Sequence, residues 1–160
     1  MRNLPGRGPL SCQRTADPDQ EALMDQTQTM EQAWLEAINA HDVQGVLACF
    51  TDDAVFTDVG TGQVARGKDE MRALLEGLFA TFSGLRVDLR SAFGDGNSLV
   101  HEFTMSGVHS GSVPGLEATG KSFTVPGAIV ADLRDGRLSR ATEYWNMADL
   151  LTQVGVLPRP

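Results

Sequence analysis

Apolar residues recur at helical spacing in the first half of the chain and at alternate positions in the second. Met30, Trp34, Ala37 and Ile38 stand at i, i+4, i+7 and i+8, one stripe of an amphipathic helix that ends near "NAHD". Asp42 is then placed to cap a short second helix, because Val43, Val46, Leu47 and Phe50 repeat at i, i+3, i+4 and i+7. "AVFTD", Ala54 to Asp58, is β-branched and aromatic and runs into the glycines of "VGTG", which predicts a short strand with Asp58 at its end. Met71, Leu74, Leu75, Leu78, Phe79 and Phe82 make the most sustained apolar face, a helix from about Lys68 that Gly84 closes.

Beyond Gly84 the period falls to two. "LRVDLR" sets Leu85, Val87 and Leu89 on one face and Arg86, Asp88 and Arg90 on the other, and "GDGN" supplies a turn. "SLVHEFTMSGVH" and "SFTVPGAIVADL" are the next strands, joined through Gly111, Gly115 and Gly120; "DGR" turns the chain into "LSRATEYW". A short helix from about Met147 to Val154 follows. Helices first, then three or four long antiparallel strands, is the order of an α+β domain with helices packed on one face of a curved sheet. Residues 1–22, rich in Pro, Gly and Arg and almost without periodic apolar positions, are expected to form a flexible N-terminal extension to a single domain over 23–160.

Composition narrows the partners. The chain has 160 residues, 41% of them hydrophobic, enough for one domain with a core, and its mean hydropathy of -0.16 suits a soluble protein. A net charge of -8 and a pI of about 4.7 work against nucleic acid, whose binding depends on basic residues displacing counterions. No long apolar run predicts a membrane span, and "MRNLPGRGPLSCQRT" lacks the apolar segment of a secretory signal. Cys12 and Cys49 make no disulfide framework, so the cytoplasm is the expected compartment.

Candidate chemistry gathers on few residues. Asp58 ends a strand, where a dry pocket can raise a carboxyl's pKa and make it a stronger base; equally, aspartate caps turns such as "VGTG". Glu143 shares a strand face with Ala141 and Trp145, while Thr142, Tyr144 and Asn146 share the other, so Glu143 lines a pocket if Trp145 does. His101 and Glu102 fall on opposite faces of one strand and only one can face a pocket; Glu102 is the one taken for it. Three histidines on three elements, with no His-x-x-x-His and no Cys pair, indicate no metal site. No Gly-x-Ser-x-Gly elbow is present, and "GTG" and "GDG" have no following helix to hold a phosphate.

Three segments in order, "AINAHDVQGVLACFTDDAVFTDVGTG", "ARGKDEMRALLEGLFATFSGLRVDL" and "DGRLSRATEYWNMADLLTQVGVLP", resemble the NTF2-like superfamily, and within it the SnoaL-like polyketide cyclases and ketosteroid isomerase relatives. The resemblance implies a cone-shaped α+β barrel, a curved antiparallel sheet wrapped around N-terminal helices, with a deep apolar pocket and usually a homodimer. It implies cofactor-free acid-base chemistry, an aldol cyclisation or isomerisation, on a small apolar or polyketide-like carbonyl compound. Asp58 matches the isomerase branch's general base. Trp34 takes the place of that branch's helix tyrosine, and the place of its protonated acid falls near Val130, which cannot donate. His109 in "SGVHSG" stands where the cyclases carry Gly-Thr-His-Thr-Gly, and a histidine there could exchange a proton near neutral pH. Asn146 falls on the cyclases' acid at the strand-to-helix junction, where it could donate a hydrogen bond but take no proton, or else cap the last helix with Asp149 at N3. The catalytic expectation is therefore Asp58, Glu143 and His109, with Trp34, Phe56, Glu102, Trp145 and Asn146 as pocket. The alternatives are a non-catalytic ligand-binding or dimerising module and, last, an epoxide hydrolase, whose Asp-Arg-Asp set finds no match around Arg90, Arg134 or Arg140.

Overall fold

A computed structural model describes residues 18–158, a mixed α+β domain built on one curved, unclosed six-stranded sheet. In chain order the elements are α1 (Pro18–Asn39), α2 (Val43–Ala48), β1 (Phe50–Asp58), β2 (Gln63–Arg66), α3 (Gly67–Thr81), β3 (Phe82–Gly94), β4 (Ser98–His109), β5 (Ser122–Arg134), β6 (Arg137–Trp145) and α4 (Met147–Gln153). The helix α1 takes in residues 18–22 of the expected extension; the rest of that stretch, with Cys12, lies outside the described residues. Among the described residues no helix is long and apolar enough to cross a membrane.

The strand order is β2-β1-β6-β5-β4-β3. From β3 to β6 the pairing is antiparallel, as the alternating pattern predicts, but β1 joins β6 in parallel, which a row of hairpins does not give. Register shifts in the β3–β4 and β5–β6 pairs bend the long strands so that the sheet wraps the helices. Two boundaries differ from the periodicity. Phe50 and Phe82 each complete an apolar helical stripe in sequence, yet each begins a strand, because a buried aromatic satisfies either pattern. β2, at four residues, is too short to show in the sequence; Gly67, at φ +70, then turns it directly into α3.

Paired side-chain and main-chain bonds pin the layers together. Asn39 at the end of α1 both donates to Val87 O (2.9 Å) and accepts from Val87 N–H (2.8 Å), and His41 Nε2 meets Leu85 O at 2.9 Å while stacking on Phe79. Gln153 repeats the device on α4, donating to Thr124 O and accepting from Thr124 N–H. Between the layers Phe103, Phe123, Val46, Val125 and Val154 are almost fully buried, each removal of such a side chain from water stabilising by roughly 1.5–3 kcal/mol. The inner face of the sheet thus closes on the helices at one end and leaves space at the other.

Candidate active site

Strand pairing decides which side chains meet. In the parallel β1–β6 pair Asp58 is the register partner of Glu143, and register partners project to the same face, so two acids leave neighbouring strands side by side. The same row continues through Ile129 of β5 to His101 of β4. Asp58 is 8% exposed, and two donors meet on its Oδ1: Trp145 Nε1–H at 2.8 Å and the Thr61 main-chain N–H at 3.1 Å. Among the described residues no donor reaches Oδ2. Trp145 attains this position by lying flat against the β1–β2 turn. A Cβ on Gly60 would stand 2.3 Å from its Cε2, so the turn has to be glycine there.

The two acids open on a cavity of about 570 Å³ whose wall is otherwise almost wholly apolar, with Trp34, Phe56, Leu74, Leu78, Met105 and Leu150 among its residues. Glu143 is half-buried, but the surface it keeps faces this cavity. Desolvation, and then the neighbouring Asp58 carboxylate, push its pKa up to about 8. At neutral pH Glu143 is therefore protonated, an O–H donor beside a carboxylate whose Oδ1 is already held by two N–H groups.

The remaining expected site residues divide. Trp34, Phe56 and Trp145 line the cavity, and so does His109, which is 1% exposed and whose Nδ1 meets Thr119 Oγ1 at 3.2 Å. His109 lies farther along β4 than the acid row, and none of its recorded contacts is shared with Asp58 or Glu143. Glu102 is a correction: the inward set on β4 is Leu99, His101, Phe103 and Met105, so Glu102 is exposed on the outer face, where it accepts from Ser91 Oγ at 3.0 Å. Asn146 is another. It is exposed, off the cavity wall, and its side chain caps α4 by accepting from Asp149 N–H at 3.2 Å. Val130 is also outside, 46% exposed. His101 faces inward but is sealed under α1, its Nε2 2.8 Å from Glu31 Oε1 in poor hydrogen-bond alignment, with the Trp34 ring beside it.

Sequence reasoning placed Asp58 at a strand end and Glu143 on the Trp145 face, but it did not bring them together. The signal was the shared face of Glu143 and Trp145; the missing step was the parallel pairing of strands far apart in the chain. It also took Trp145 as wall only, where its indole N–H holds the acid. No cluster of three or more metal-ligating side chains occurs among the described residues.

Solved structures of similar shape cover most of the chain. A candidate polyketide cyclase from Silicibacter sp. TM1040 superposes with a TM-score of 0.73 at 27% identity, covering 81% of this chain and 95% of that one. A second, from Xanthomonas campestris pv. campestris, gives 0.72 at 26% over 83% and 99%. A candidate SnoaL-like polyketide cyclase from Jannaschia sp. CCS1 reaches 0.76 at 16% over 91% and 99%, a likeness of fold alone. No curated protein matches the chain. The family model of the SnoaL-like domain matches residues 32–141, more than half of the sequence, and the chain belongs to that family.

Proposed function

We propose that this protein is a cofactor-free acid-base enzyme of the cyclase or isomerase type, acting on an apolar carbonyl compound held in the cavity. The observation that carries the reading is the Asp58–Glu143 pair, one acid whose Oδ1 accepts two N–H bonds beside another that burial keeps protonated, at the polar point of an apolar enclosure. Neighbouring carboxyls in unlike environments mark out an acid and a base. Asp58 Oδ2 takes a proton from the carbon beside the substrate carbonyl, while Oδ1 stays fixed by Trp145 and Thr61. Glu143 donates its O–H to the carbonyl oxygen as negative charge gathers there. The enolate then attacks a second carbonyl, closing a ring, and the alkoxide so formed takes back the proton held on Asp58; in an isomerisation Asp58 returns that proton to another carbon instead. The cavity supplies the folded shape in which the reacting carbons lie close.

The test is turnover of a β-dicarbonyl or polyketide-like ketone by purified protein, with Asp58→Asn and Glu143→Gln as controls. Exchange of the α-hydrogen for deuterium, lost in Asp58→Asn, supports the reading. A ketone bound tightly in the cavity with no exchange at any pH from 5 to 9 favours a ligand-binding module instead. We further take a second copy of the chain as partner and the cytoplasm as its place. The outer sheet face carries Phe93, Val100 and Val130 in one cross-strand row, an exposed apolar strip that a second copy could cover across a two-fold axis, with Arg140 paired to Asp132 beside it. Light scattering should give a dimer that Val130→Lys converts to monomer.

A further inference from the structure

Asp58 has a strand neighbour on each side, and only one of the two is an acid. On the side away from Glu143 its antiparallel register partner is Gln63 of β2, and register partners project to the same face. Ala65, two residues farther along β2, is 2% exposed and pairs with Phe56 of the cavity wall, which fixes that face as the inner one. Gln63 accordingly lines the cavity, and because it is also exposed to solvent it stands at the rim. Its main-chain N–H donates to Thr61 Oγ1 at 3.3 Å, whereas among the described residues its side-chain amide has no partner.

Gln63, Asp58 and Glu143 thus form one row of polar side chains on three adjacent strands, about 4.8 Å from one strand to the next, with the base in the middle. A donor flanks the base on either side, the Glu143 O–H and the Gln63 amide N–H. We infer that Gln63 binds a second carbonyl of the substrate, across the acidic carbon from the carbonyl held by Glu143, and so selects 1,3-dicarbonyl compounds over simple ketones. This rests on the proposed function, which makes Asp58 the base and Glu143 the first donor. When Asp58 Oδ2 takes the proton from the carbon between the two carbonyls, the electron pair left behind spreads over both oxygens, and each has a donor to meet its share. An amide suits the place, since it donates to an oxygen without the positive charge by which a lysine there would pair with the base itself.

Two probes of one length test it: ethyl benzoylacetate, a β-keto ester, and 1-phenylhexan-1-one, in which methylenes replace the ester carbonyl and ester oxygen. Binding is read by isothermal titration calorimetry. Gln63→Met keeps the length of the side chain and removes the amide. It should weaken binding of the keto ester about fivefold, the worth of one ordinary hydrogen bond, and leave that of 1-phenylhexan-1-one within about twofold. Gln63→Glu keeps the acceptors but loses the N–H; it should weaken the keto ester at least as much and slow its α-deuterium exchange about tenfold further, since it sets a negative charge beside the forming enolate. Should Gln63→Met fail to fold, the glutamate variant carries the same comparison of the two probes. Equal losses for both probes, or an unchanged affinity for the keto ester, overturn the inference alone and leave the proposed function to its exchange test. If neither probe binds the wild-type protein, both fall.

Discussion

Glu143 and Glu31 are two carboxyls on the inner side of the same sheet, within reach of the same cross-strand row. Glu31, on α1, is covered by the helix and stands 2.8 Å from His101, itself 4% exposed. Glu143, two strands away, stands beside Asp58 with open space in front of it. Burial raises both pKa values. The difference lies in what each acid faces. Glu31 meets a group of complementary character under α1 and stands off the cavity wall. Glu143 meets a like group and a cavity, so its proton is available to whatever enters. Desolvation alone does not make a site; desolvation beside room for a ligand does.

Four substitutions test that contrast. The largest effect belongs to Asp58→Asn, which leaves the cavity intact and removes the base; turnover should fall about 10²–10⁴-fold with little change in ketone affinity. If turnover persists, the open pair is no more catalytic than the sealed one. Glu143→Gln keeps a hydrogen-bond donor, so turnover should drop only about tenfold, but stability should change in the opposite sense. With a folded pKa of about 8 against 4.5 unfolded, Glu143 holds its proton in the fold across this window, and stability is lost as pH rises from 4.5 through 8, by up to about 1.4 kcal/mol per unit. The glutamine variant should therefore outlast wild type in urea at pH 9 and match it near pH 4. Gly60→Ala touches neither acid. It pushes the Trp145 ring off the turn and breaks its bond to Asp58, which should lower kcat about tenfold with little change in stability to urea, since the base loses the donor that fixes its Oδ1.

The sealed pair responds to acid. Burial lowers the His101 pKa from 6.5 to about 4, so the fold favours neutral imidazole and stability is lost as pH falls from 6.5 through 4. His101→Gln should reduce the loss between pH 6.5 and 4.5 by up to about 2 kcal/mol, read from urea midpoints, with turnover at pH 7 unchanged to about twofold. A large loss of turnover there would give His101 a part in the chemistry and erase the distinction between the two regions.

Most elements were legible because periodicity is local: the α1 stripe, the α3 face and the alternation of β4 through β6 each show within about a dozen residues. The candidate site was legible in pieces. Asp58 follows from a strand that runs into glycines, and Glu143 from its spacing to Trp145. What joins them is a pairing between β1 and β6, and nothing within either segment encodes its neighbour. Glu102 went wrong for a related reason, since alternation gives two faces without saying which is inward. Asn146 had two readings in sequence, and the cap prevailed because the α4 main-chain N–H groups at the junction need an acceptor.

The β1–β6 pairing also has a consequence in time. Trp145 and Asp58 are 87 residues apart, so at synthesis rates of roughly 5–20 residues per second the base waits about 4–17 s for its partner strand to be made. Through that interval β1 can pair with β2, but its other edge has no strand to meet. Asp52 and Asp53 lie exposed on that strand, and charge on an unpaired edge discourages pairing with other chains. The chain thus carries a guard for the half-built protein on the same strand that delivers its base, and a nascent chain with both aspartates changed to valine should aggregate before β6 can close the sheet.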